Sequence, residues 1–255
     1  MAQTTYKDLL DAGAHFGHLT RKWDPKMAPY IFMEKNGIHI IDLNKTLVSL
    51  DYAAQAIRNI AKSGRKVMFV ATKKQAQEIV TTEAERLKMP FVTDRWLGGM
   101  LTNFATVRKS LKKMATIDKM VKENTAYAAL AKREKLMMSR ERAKLDRVLG
   151  GIADLGRLPA ALFVVDVKRE HIAVKEAQKL GIPVFAICDT NSNPELVQFP
   201  IPANDDASKS IQLIVGVIGK AIEDGLSERK VDKEDAERKE ADEAAIAEKT
   251  AADEE

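Results

Sequence analysis

ALFVVDVKREHIAVKEAQKLGIPVFAICDT, residues 161–190, places one amphipathic segment between two unbroken apolar runs. The runs at 161–167 and 183–190 are short and rich in Val, Ile and Phe, as expected of strands buried on both faces. Residues 170–181 between them carry the spacing of a helix. The same rhythm occurs upstream, where KVMFVAT (66–72) reads as a strand, KKQAQEIVTTEAERLKM (73–89) as a helix and PFVTD (90–94) as a second strand. Downstream, a short FPIP piece precedes a helical stretch at 207–225. About five strands separated by helices predict a parallel sheet covered on both sides, a three-layer α/β domain of the flavodoxin-like kind.

Two pieces depart from that rhythm. YIFMEKNGIHIIDL (30–43) sets Asn36-Gly37 between apolar runs, the strongest short-range signal for a β-hairpin. Residues 107–147 interrupt the sheet pattern with two helical repeats, Val107, Leu111, Met114, Ile117 and Val121, then Leu130, Met137, Met138 and Leu145. The polar Lys122-Glu123-Asn124-Thr125 supplies a turn between them, so an inserted antiparallel helical hairpin of coiled-coil type is expected. Each arm of roughly 17 to 20 residues would reach about 25–30 Å. The predicted organisation is an α/β domain from 1–106 and 148–226, the hairpin at 107–147, and an acidic tail at 227–255.

Charge is unevenly shared among these parts. The tail holds twelve acidic and six basic residues, and residues 1–226 hold 35 basic and 25 acidic, so a net charge of +4 conceals a body of +10. With Val231 and Ile246 as its large aliphatics, the tail cannot bury enough surface to offset chain entropy, and it reads as disordered or transiently helical. The hairpin carries thirteen basic residues and five acidic ones. Its Arg108, Lys109, Lys112 and Lys113 crowd together at helical spacings, where like charges repel unless an outside anion compensates. A plain solvated face is the alternative.

Two further stretches suit a polyanion. In HFGHLTRKWDPK (15–26), Arg21, Lys22 and Lys26 surround Trp23, a combination that can pair phosphates and stack a base. In DRWLGGMLTNF (94–104), Arg95 and Trp96 precede Gly98-Gly99 and a helix start with Thr102 as a plausible N-cap. Packing of either tryptophan in the core is the competing reading.

Catalysis and metal binding find less support. His15 and His18 lack any accompanying CxxC or HExxH pattern, and the single Cys188 sits inside an apolar run. Asp94, Asp166 and Asp189 follow predicted strands, where a phosphate-handling magnesium site is conceivable, but aspartates there are also ordinary turn formers. GxGxxG, GxxxxGK[ST] and GxSxG are all absent. No cofactor, small-molecule substrate, export signal or membrane span is expected. A cytosolic binding protein fits, with a coiled-coil arm for an acidic protein partner as the alternative to RNA.

HFGHLTRKWDPKMAPYIFMEKNGIHIIDLNKT, DRWLGGMLTNFATVRKS, the long stretch from LGGIADLGRLPA through DTNSNP, and IPANDDASKSIQL together resemble the bacterial small-subunit ribosomal protein family called S-two, over roughly residues 5–225. The family often has an acid where this chain has Asn193, and GGLP where it has Gly156-Arg157-Leu158-Pro159. The resemblance implies a structural, non-catalytic protein with a flavodoxin-like domain and an inserted helical hairpin. It implies binding to small-subunit ribosomal RNA on the solvent side, between head and body near the messenger exit. It also implies contact with other small-subunit proteins, including the large messenger-binding protein of S-one type. By similarity, Arg21, Lys22, Trp23, Lys26, Arg95, Trp96, Asn103, Arg108, Lys109, Lys112 and Lys113 are the positions expected at RNA.

Overall fold

The computed structural model describes residues 4–123, 127 and 130–252. After a short helix α1 (Tyr6–Asp11), the chain forms β1 (Phe16–Leu19), β2 (Ile31–Lys35) and β3 (Ile38–Ile41), and these make an antiparallel sheet in the order β1-β3-β2. The β2–β3 turn is the expected Asn36-Gly37 pair, with φ of 54° and 73°. Both central residues of a type I′ turn need positive φ, which glycine adopts freely and asparagine tolerates. Strand β1 was not legible beforehand, being four residues long and only partly buried.

Helix α2 (Leu43–Lys62) leads into a second sheet of β4 (Val67–Val70), β5 (Phe91–Val92), β6 (Ala161–Val165), β7 (Val184–Cys188) and β8 (Phe199–Pro202). Its order is β5-β4-β6-β7-β8 and every pairing is parallel, the flavodoxin-like arrangement expected from the apolar runs. All residues of β4, β6 and β7 are buried, and alternation sorts them into two cores. Phe69, Phe163 and Phe185 face α2, α3 (Lys74–Arg86) and the last helix, α7 (Ser208–Ala252). Met68, Val70, Leu162, Val164 and Ala186 face α6 (His171–Lys179) and the hairpin base.

The hairpin is α4 (Phe104–Glu123) and α5 (Lys132–Leu149), slightly longer at both ends than predicted. Leu111, Met114 and Ile117 are buried as expected, whereas Met137 is 61% exposed and lies outside the seam. Asp118 accepts from Arg142 across the two helices at 2.9 Å. Of the expected turn, residues 124 and 125 lie outside the described residues.

Helix α7 differs from the expected boundary at 226. It continues without a break to Ala252. Just past that boundary Glu228 pairs with Arg58, and Asp232 pairs with Lys62 at 3.0 Å, so the first turns of the acidic segment lie against α2. Hydrophobicity alone could not reveal this, because the contacts are ionic. No helix among the described residues is long and apolar enough to cross a membrane.

Candidate nucleic-acid interface

Burial of Leu111, Met114 and Ile117 fixes the rotation of α4 and leaves Arg108, Lys109, Lys112 and Lys113 exposed. Lys113 is neutralised by Glu141 of α5. The side chains of Arg108, Lys109 and Lys112 are neither hydrogen-bonded nor ion-paired among the described residues. Three uncompensated cations within two helical turns raise the local potential, which a phosphate backbone can relieve by releasing its counterions.

The loop at 20–26 is fixed by a residue far away in the sequence. The Asp24 N–H donates to the Thr190 carbonyl at 2.8 Å, and the His18 N–H donates to Thr190 Oγ1 at 2.8 Å. Gly17 is required at this junction, because a Cβ there would lie 2.6 Å from the Thr190 methyl and 2.9 Å from the His39 carbonyl. Trp23 remains 39% exposed with its ring tilted on His39, and Arg21 and Lys22 are exposed beside it. Lys26 is engaged already, pairing with Glu195 at 2.9 Å.

The third stretch behaves differently. Trp96 is 7% exposed, and its indole N–H donates to Glu176 Oε1 at 3.1 Å. Glu176 also accepts from the N–H groups of Gly99, Leu101 and Thr102 and from the Thr102 hydroxyl, at 2.7 to 3.1 Å. Burial alone would raise its carboxyl pKa, but these donors hold it below the ordinary value. Trp96 therefore packs inside, the competing reading for that position. Thr102 is committed to Glu176 and is not the N-cap expected; Asn103 directly precedes α4 and accepts at Oδ1 from the Thr106 hydroxyl at 2.9 Å. Arg95 and Asn103 stay exposed. Glu176 was missed because an acid within an amphipathic helix looks like any solvated position.

A charged cluster lies where β4, β6, β7 and β8 end. Lys73 pairs with Asp205 at 2.7 Å, Asp206 at 2.6 Å and Asp166 at 3.6 Å. His18 Nδ1 lies 2.9 Å from Asp189, and its Nε2 lies 3.4 Å from Asp206. Burial, with Asp166 and Asp189 nearby, pushes the Asp205 carboxyl up to about 7, and its Oδ2 is buried without a hydrogen-bond partner. One donor atom each from His18, Asp189 and Asp205 lies within 4.8 Å of the others, an N/O set that suits a divalent cation. Spacing along the sequence could not suggest this trio, which comes from β1 and two strand ends. Asp94 is not part of the cluster; it accepts instead from Arg147 of the hairpin at 2.9 Å. His15, the other early histidine, packs against Phe16 with ring centroids 4.0 Å apart.

The family described as Ribosomal protein S2 matches residues 9–225. A small ribosomal subunit protein uS2 from Cytophaga hutchinsonii is 72% identical over 239 residues, which cover 94% of each chain. Proteins of the same name from Parabacteroides distasonis and Flavobacterium psychrophilum are 61% and 62% identical, covering 93% and 89% of this chain and 85% of theirs. The chain belongs to the ribosomal protein S2 family, as a structural protein of the small ribosomal subunit and not an enzyme.

Proposed function

We propose that the chain binds small-subunit ribosomal RNA through the outer face of α4 and the loop around Trp23. The observation that carries this reading is the set of exposed, unpaired cations at Arg108, Lys109 and Lys112 on a projecting hairpin. Arg21 and Lys22 add phosphate contacts, and Trp23 offers a ring face on which an unpaired base can stack. Arg95 and Asn103 extend the same basic surface at the hairpin base, while Trp96, Lys26 and Lys113 serve the fold through partners of their own. Family membership supports a place on the solvent side of the subunit, between head and body near the messenger exit. There the chain would support assembly and the docking of the large messenger-binding ribosomal protein.

Co-sedimentation tests the RNA dependence. The native protein should travel with small subunits and leave the heavy fraction when the RNA is digested. Retention in heavy, nuclease-resistant particles would favour a protein partner for the hairpin instead.

A further inference from the structure

Between the hairpin base and the carboxyl edge of the parallel sheet lies a cleft of about 620 Å³. It opens where Thr72 follows β4, Arg95 follows β5 and Arg169 follows β6, the place where strand order reverses. Ligands of doubly wound sheets bind outside the strand ends at such a reversal. Lys144 and Arg147 of α5 close the cleft from the hairpin side.

Four cations and two carboxylates line the cleft, and most of these groups are occupied. Arg147 spends its Nε and Nη2 on Asp94, at 3.1 and 2.9 Å. Glu170 is 3% exposed and accepts from the Thr72 N–H and hydroxyl, while burial raises its pKa above the ordinary value. Arg169 donates to the Thr72 hydroxyl at 2.9 Å. Arg95 and Lys144 remain, both exposed, with side chains neither hydrogen-bonded nor ion-paired among the described residues. The aromatic residue of the lining, Trp96, is buried and presents no open face for a base. The cleft is thus suited to an anion without a ring.

We propose that this cleft receives a phosphodiester group of the RNA backbone, held by Arg95 and Lys144. A bound phosphate there would fix the angle of the hairpin against the sheet, since its ligands come from both. The inference rests on the RNA-binding reading and adds to it the residues that line this cleft, which do not include Lys109 or Lys112.

The test measures how affinity for small-subunit ribosomal RNA falls with salt in three full-length chains: wild type, Arg95→Gln/Lys144→Gln and Lys109→Gln/Lys112→Gln. Each phosphate released lowers the slope of log affinity against log salt by about 1. The cleft variant should lose about that much and the exchange Arg95→Lys/Lys144→Arg should recover it. A wild type without salt-dependent binding would sink the RNA reading as a whole. If the hairpin variant loses slope while the cleft variant keeps the wild-type slope, the cleft assignment alone is overturned. A thermal shift with inorganic phosphate in the wild type, absent in the Gln variant and accompanied by an unchanged RNA slope, would assign the cleft to free phosphate and overturn the proposal.

Discussion

The indole N–H of Trp96 and the carboxylate of Glu176 meet at 3.1 Å, joining the loop after β5 to helix α6. Since Glu176 answers four further donors from Gly99, Leu101 and Thr102, one side chain organises the turn from which the hairpin departs. Replacing Glu176 with Ala strands these donors in a partly dry pocket. Unmatched buried donors cost about 1–3 kcal/mol, so Glu176→Ala should lower stability by about 3 kcal/mol. Urea unfolding should show a lower midpoint with little change in slope; an unaltered midpoint would mean that water replaces the carboxylate freely.

The same carboxylate links stability to acidity. Its pKa is depressed in the folded chain from an ordinary 4.5, so its contribution is complete above that value and disappears as pH falls through the folded pKa. The stability gap between wild type and Glu176→Gln should therefore be constant near neutrality and narrow below about pH 4.5. Urea midpoints followed downward from about pH 6 would check this, and a gap that widens in acid would reverse the sign.

The strands and the β2–β3 turn could be read directly because both depend on local pattern. Continuous apolar runs place side chains in two cores at once, and Asn36-Gly37 meets a local backbone need. The cation-rich face of α4 was readable for the same reason. What escaped reading depends on distant partners. Trp96 and Trp23 stand in similar basic surroundings, but one finds Glu176 eighty residues away and the other stays at the surface. Lys26 and Lys113 look as free as Lys112 until Glu195 and Glu141 are brought beside them by folding. The His18, Asp189 and Asp205 grouping likewise exists only once β1 reaches the ends of β7 and β8.

Charge reversal on α4 separates binding from folding. The side chains of Lys109 and Lys112 are exposed and neither hydrogen-bonded nor ion-paired among the described residues, so Lys109→Glu/Lys112→Glu should leave thermal stability close to wild type. RNA affinity should drop, with the salt slope smaller by about 2, and incorporation into small subunits should decline. Normal incorporation together with a wild-type slope would remove this face from the interface.

The acidic end of α7 offers a sharper test because its charges oppose the role of the body. Glu228 and Asp232 meet Arg58 and Lys62 on half-exposed surfaces, where each ion pair contributes roughly 0–1 kcal/mol. Removing residues 227–255 deletes those pairs and a net −6 while sparing the core residues Ile211, Ile214, Ile218 and Ile222. The truncated chain should melt only slightly earlier and still enter small subunits. Its affinity for RNA at low salt should rise, since fewer carboxylates repel phosphate, and the difference should fade as screening shortens the reach of charge. Sedimentation profiles showing subunits depleted of the truncated chain would reveal that the segment holds a partner instead.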